Sequence, residues 1–247
     1  MTQSSYDEAL NNDLTEKGVV PSLNSELPFR PPVPLMDVSE AIIPVALVID
    51  VSESMRGTSI GMVTRAANKA VAYWKENNIP VYLGIILFGD KAEPFQDFVD
   101  IREINQEFDF SQYVGGRTNL YDGIKTAISM SVTLKSLFSE IGTTSKKVQV
   151  LGFTDGAHTN SSREIGELRD ELSKVVVKGP EGTLNLTFCT TSSDKIEDLE
   201  KLAPGRVMLV DNIEEAIGFF KVSIMCTAKG KAAPRPDGSG EIVMDDE

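Results

Sequence analysis

Between residues 41 and 228, short unbroken apolar runs alternate with longer segments of helical spacing. Pro44 to Val51 and Val81 to Phe88 are apolar almost throughout and rich in β-branched residues, as expected of strands covered on both faces. Between them, Ile60, Val63, Ala67, Ala70, Val71 and Trp74 recur at the spacing of one helical face, predicting a helix over 59–77. Phe95 to Ile101 is shorter and alternates, which suits an edge strand. Helices are further expected over 120–138, 162–177, 194–202 and 212–226, with strands over 148–153, 184–189 and 207–210. Such alternation demands a mainly parallel sheet, because each crossover must return across the sheet and lay its helix on a face. The expected fold class is therefore α/β: a Rossmann-like, doubly wound, mainly parallel sheet of about six strands, with one antiparallel edge strand and helices on both faces.

The ends read differently. Residues 1–40 hold five of the chain's twelve prolines and seven acidic against two basic residues. Residues 229–247 hold three basic and five acidic residues. The expected organisation is a Pro-rich acidic extension over 1–40, one domain over 41–228 and a flexible acidic tail over 229–247.

Composition removes several functions. The formal net charge of −13, from 37 acidic and 24 basic residues, argues against a nucleic-acid partner, since phosphate binding needs clustered Lys and Arg. No apolar run approaches the roughly 18 residues a membrane span needs. The two cysteines, Cys189 and Cys226, exclude a disulfide framework and a thiolate zinc site. The opening residues carry neither a basic nor an apolar signal region, so a cytoplasmic, reducing location is expected. No phosphate-binding G-x-x-x-x-G-K-[ST] loop is present, and no G-x-G-x-x-G follows the first strand.

Three polar clusters fall at expected strand ends or helix starts. Asp50-Val51-Ser52-Glu53-Ser54 leaves the first strand, Gly115-Gly116-Arg117-Thr118-Asn119 precedes a helix, and Thr154-Asp155-Gly156 follows the strand over 148–153. In a parallel sheet such loops converge at the carboxyl ends of the strands, where ligands bind. Two carboxylates and three hydroxyls suit a hard divalent cation with near-octahedral oxygen coordination, and Mg²⁺ or Mn²⁺ fits better than zinc or Ca²⁺. If the neutral hydroxyls take the direct positions, the ion keeps much of its charge and can accept an anionic ligand. Taken alone, Asp50, Ser52 and Ser54 could as well end a strand and cap a helix.

Asp50-Val51-Ser52-Glu53-Ser54, Thr118 and Asp155 resemble the D-x-S-x-S…T…D set of von Willebrand factor type A domains, their metal-ion-dependent adhesion site. The resemblance covers about residues 41–226. It implies Mg²⁺ or Mn²⁺ held by Ser52, Ser54 and Thr118, with Asp50 and Asp155 as direct or water-bridged ligands. It also implies a partner protein whose Asp or Glu carboxylate completes the metal shell. Within the family, the chain is similar to intracellular bacterial members such as the TerY-like proteins of tellurium-resistance and stress gene sets. Arg117 departs from the small residues common beside the threonine. It and Arg56 could grip an anion or weaken metal binding by repulsion, and His158 completes the expected rim. Asp122, at a helix start, is read as complementing the helix dipole.

The expectation is a binding module without catalytic residues. Two rivals stand beside it. One is a structural subunit that uses its tails to contact neighbours in a larger assembly, with the metal site secondary. The other is a hydrolase centred on Ser59, because Gly57-Thr58-Ser59-Ile60-Gly61 matches G-x-S-x-G and Asp155 and His158 follow in hydrolase order. Against the hydrolase, Ser59 lies eight residues beyond Val51 rather than on a sharp strand-to-helix turn. Asp155 and His158 also share one loop, which hardly lets the acid orient the imidazole.

Overall fold

The computed structural model describes residues 41–155, 158–176, 182–193, 196–228, 235–236 and 242–243; the extension expected over 1–40 lies outside them. Strand and helix alternate: β1 (Ile43–Asp50), α1 (Thr58–Glu76), β2 (Val81–Phe88), β3 (Ala92–Asp100), α2 (Leu120–Glu140), β4 (Val148–Thr154), α3 (Ser162–Val175), β5 (Leu184–Thr190), α4 (Ile196–Glu200), β6 (Val207–Leu209) and α5 (Ile213–Ala228). The six strands form one sheet in the order β3-β2-β1-β4-β5-β6, with only β2 and β3 antiparallel. This is the expected doubly wound architecture. Beyond it, Arg235–Pro236 pairs antiparallel with Ile242–Val243.

Why β1 carries no polar residue before its last position follows from its place. It lies at the centre of the sheet, and all eight of its residues are buried. Successive side chains point to opposite faces. Val45, Leu47 and Ile49 join one apolar layer with Val63, Ala67 and Trp74 of α1 and Phe219 and Phe220 of α5. Ala46 and Val48 join the other, with Ile124, Leu134 and Phe138 of α2 and Leu168 of α3. Edge strand β3 begins at Ala92, earlier than its alternation suggests, because Pro94 and the polar residues around it sit on the edge, where an unpaired backbone tolerates them. No described helix is long and apolar enough to cross a membrane.

The chain leaves β1 toward β2 on one side, and β4 lies on the other. The carboxyl ends of β1 and β4 therefore flank the point where the strand order reverses, the usual place for a ligand in an open α/β sheet.

Candidate metal centre

Asp50 is the last residue of β1, wholly buried, at that switch point. Parallel register sets Ile49 against Phe153, so the next pair along is Asp50 and Thr154. The Thr154 hydroxyl donates to Asp50 Oδ2 at 2.6 Å. The Ser52 amide donates to Asp50 Oδ1 at 2.8 Å, closing a turn that bends the chain away from the strand. Burial pushes the Asp50 carboxyl up from 3.8 to about 6; the hydrogen bonds from Ser52 and Thr154 pull it back, and the Asp155 charge adds to the rise. Asp50 and Asp155 are thus electrostatic neighbours, although they lie more than a hundred residues apart in sequence.

Ser52 is buried and Ser54 exposed, and their hydroxyl oxygens lie 3.1 Å apart. This loop is joined to the second one by backbone. The Gly115 amide donates to the Val51 carbonyl at 2.8 Å, and the Glu53 amide donates to the Gly116 carbonyl at 3.2 Å. Thr118, buried, follows two residues later. Asn119 then caps α2 by accepting from the Asp122 amide, and its side-chain amide donates to Asp122 Oδ2 at 2.6 Å. Asp122 therefore belongs to the helix cap, as its place in the first turn suggests.

The third loop is fastened to the second in turn. Both the amide and the hydroxyl of Thr159 donate to the Thr118 carbonyl, at 2.9 and 3.1 Å. The Asn160 side chain donates to Asn119 Oδ1 at 2.9 Å and accepts from the Tyr121 amide at 3.0 Å. Asp155 is half-buried at the start of this loop.

The rim residues divide. Arg56 is engaged: it forms a two-pronged pair with Glu53, at 2.6 and 2.8 Å, and reaches the Val114 carbonyl at 3.2 Å. Arg117 is exposed, and its backbone amide donates to Asp90 Oδ1 at 2.9 Å. His158 is half-buried, and its Nδ1 has no hydrogen-bond partner among the described residues. Ser59 lies in the first turn of α1, with a 3-10 turn over Glu53–Met55 between it and β1. It is not at a nucleophile elbow.

Several residues that build the site escaped the sequence reading. Thr154 was seen only as a member of its cluster, yet it holds Asp50. Asp90, Thr159 and Asn160 gave no signal, because each acts through a contact some 27 to 41 residues away in sequence. Among the described residues no three His, Cys, Asp or Glu side chains gather into a metal site. The set at issue is of another kind, two carboxylates with three hydroxyls.

Residues 45–158 match the family model described as the von Willebrand factor type A domain, a span that includes Asp50, Ser52, Ser54, Thr118 and Asp155. That stretch, a little under half of the chain, is similar to the von Willebrand factor type A family. Solved structures share the chain's fold. The pilus adhesin SpaC from Lactobacillus rhamnosus GG, in an open conformation, superposes with a TM-score of 0.60 at 13% identity, covering 78% of this chain and 30% of the adhesin. The PilB minor pilin from Streptococcus sanguinis, as its D319A mutant, gives 0.58 at 11% identity, covering 80% and 64%. An aerotolerance-related membrane protein from Bacteroides fragilis NCTC 9343, carrying multiple mutations to serines, gives 0.50 at 12% identity, covering 74% and 98%. At such identities the likeness concerns the fold alone, and the chain spans less than a third of the adhesin's length. No curated protein matches the chain by sequence.

Proposed function

We propose that this domain is a protein-interaction module that holds Mg²⁺ or Mn²⁺ and uses it to grip a carboxylate of a partner protein. The observation that carries this reading is Asp50, an acid buried at the switch point with its charge disfavoured by burial. A cation beside it would restore the ionised form. Ser52, Ser54 and Thr118 supply neutral oxygens, and Asp50 and Asp155 bind directly or through water. Mg²⁺ suits such a set, because it takes few protein carboxylates and keeps water ligands. With hydroxyls in its shell the ion retains net positive charge, which an Asp or Glu from the partner satisfies.

The module is proposed as a binder, not an enzyme, with neither nucleic acid nor membrane as its partner. Its placement in the cytoplasm, and in a tellurium-resistance or stress complex of the TerY kind, belongs to the same proposal. The low cysteine count and the buried free thiol of Cys189 suit a reducing compartment.

The test is direct metal titration of the full chain by calorimetry, with Asp50→Ala and Asp155→Ala as controls. Saturable Mn²⁺ binding that both substitutions weaken at least tenfold is expected. A wild-type chain that binds neither ion, or variants that bind as well as it does, would sink the reading.

A further inference from the structure

An open sheet has two edges, and this one protects only the first by its own strand sequence. At β3 the edge carries Glu93, Pro94 and Asp97, which discourage another strand from pairing there. At the opposite edge, β6 is Val207-Met208-Leu209, with neither a charge nor a proline.

The ladder shows which backbone groups of β6 are left over. The Phe188 amide donates to the Arg206 carbonyl, and the Val210 amide to the Thr190 carbonyl, both at 2.8 Å. Along a strand, successive residues turn their N–H and C=O to alternate sides. Arg206, Met208 and Val210 therefore face β5, while Val207 and Leu209 turn their amides and carbonyls out of the sheet.

What stands against that edge is a C-terminal segment of the chain. Strand β7 (Arg235–Pro236) pairs with β8 (Ile242–Val243) and lies beside β6. Between the two, residues 237–241 read Asp-Gly-Ser-Gly-Glu, a turn composition. Two residues a side are too few for a hairpin to hold together in water by itself, so the pairing draws on the surface behind it. Yet no ladder joins β7 to β6, which belong to separate sheets. Pro236 has no N–H to offer one. The edge is thus covered without being bonded, and a strand with a full set of amides would bond it better.

We propose that the segment Arg235–Val243 is a displaceable cover of the β6 edge, and that the uncovered edge pairs antiparallel with β6 of a second copy. Symmetry singles out the second copy. About a two-fold axis at Met208, the outward groups of Val207 meet those of Leu209 in the other copy, and each pair exchanges both hydrogen bonds. The inference does not depend on the metal reading.

The experiment keeps the chain at full length. In one variant Arg235–Val243 is replaced by the same number of Gly and Ser residues; in another, Val243→Pro breaks the β7–β8 pairing. Amide exchange followed by NMR should be at least threefold faster at Val207 and Leu209 in both variants, and unchanged at Met208, which faces β5. Sedimentation should find the wild-type chain monomeric and the Gly/Ser variant in a concentration-dependent dimer. Adding Leu209→Lys, a charge on the edge itself, should abolish that dimer. Equal exchange at Val207 and Leu209 in wild type and variants, a Gly/Ser variant that stays monomeric, or a dimer that survives Leu209→Lys overturns the proposal. So does a wild-type dimer that the Gly/Ser replacement dissolves, because the segment would then bridge two copies instead of covering its own edge.

Discussion

Gly116 is the position where one added methyl group should report on the whole site. Its φ is +75°, a region that L side chains rarely adopt. A Cβ there would lie 2.7 Å from Asp90 Cγ and nearer still to Oδ2. Gly116→Ala therefore has two separable costs. The backbone strain is about 1–2 kcal/mol for a single left-handed residue. The collision forces the exposed Asp90 side chain aside, breaking its 2.9 Å bond from the Arg117 amide, worth about 0.5–1.5 kcal/mol. The sum is about 1.5–3.5 kcal/mol, which for a domain of this size lowers Tm by roughly 3–14 °C.

A double-mutant cycle separates the two parts. Asp90→Ala alone should cost about 0.5–1.5 kcal/mol, because the Arg117 amide loses its acceptor. With Asp90 already gone, Gly116→Ala should cost only the strain. The double variant is then more stable than additivity predicts by about 0.5–1.5 kcal/mol. Urea melts of the four proteins, with equal m-values, give the cycle. Asp90→Asn, which keeps an acceptor oxygen, should behave like wild type. Additivity within about 0.3 kcal/mol, or a neutral Gly116→Ala, would refute the idea that Asp90 braces this loop. The same variants bear on the proposed metal binding, since the braced loop carries Thr118.

Three further outcomes are expected. In chelator, Asp50 is protonated more readily in the folded chain than in the unfolded one, so its contribution is fullest below about pH 4 and is lost as pH rises through about 6. The loss approaches 3 kcal/mol, on the order of magnitude set by the rise from 3.8 to about 6. Asp50→Asn should remove that difference between urea melts at pH 4 and pH 7.5, and an unchanged difference would refute the assignment. Gly152→Ala should destabilise by about 1–3 kcal/mol, because its Cβ would stand 2.5–2.6 Å from the buried Phe188 ring directly across β5; a melt within about 0.5 kcal/mol of wild type would contradict the packing. Cys189 is fully buried and its thiol is pushed well above the usual range, so mass mapping should find it unlabelled by iodoacetamide until the chain is unfolded.

The fold was legible because its signals are local. β1 and β2 are unbroken apolar runs, and only a strand covered on both faces tolerates such a run. Their ends fall within a residue of expectation. The antiparallel partner β3 was recognised from its alternation, but its start was placed three residues late. Pro94 hides an edge strand from a pattern that reads apolar residues only. The helix expected over 194–202 is described only as Ile196–Glu200, a single short turn.

The site was legible in part for the opposite reason. Its candidate ligands stand in short clusters that a reader of the chain can see. What aligns the clusters is a set of contacts between residues far apart in sequence: Thr154 on Asp50, Thr159 on Thr118, Asn160 on Asn119, Asp90 under Arg117. All are small polar residues whose role exists only once the sheet has formed. A chain could keep D-x-S-x-S, Thr and Asp intact and still lose the site by changing Thr154 or Asn160. Thr154→Val makes the point sharply. It leaves all five expected ligand residues in place while removing a charge-assisted hydrogen bond to a buried carboxylate, a change of about 1.5–3 kcal/mol. With that donor gone, the Asp50 carboxyl should rise further, and the ionised form that a cation needs becomes harder to reach. On the proposed reading, metal affinity therefore depends on the alignment of β1 with β4 as much as on the ligand residues themselves.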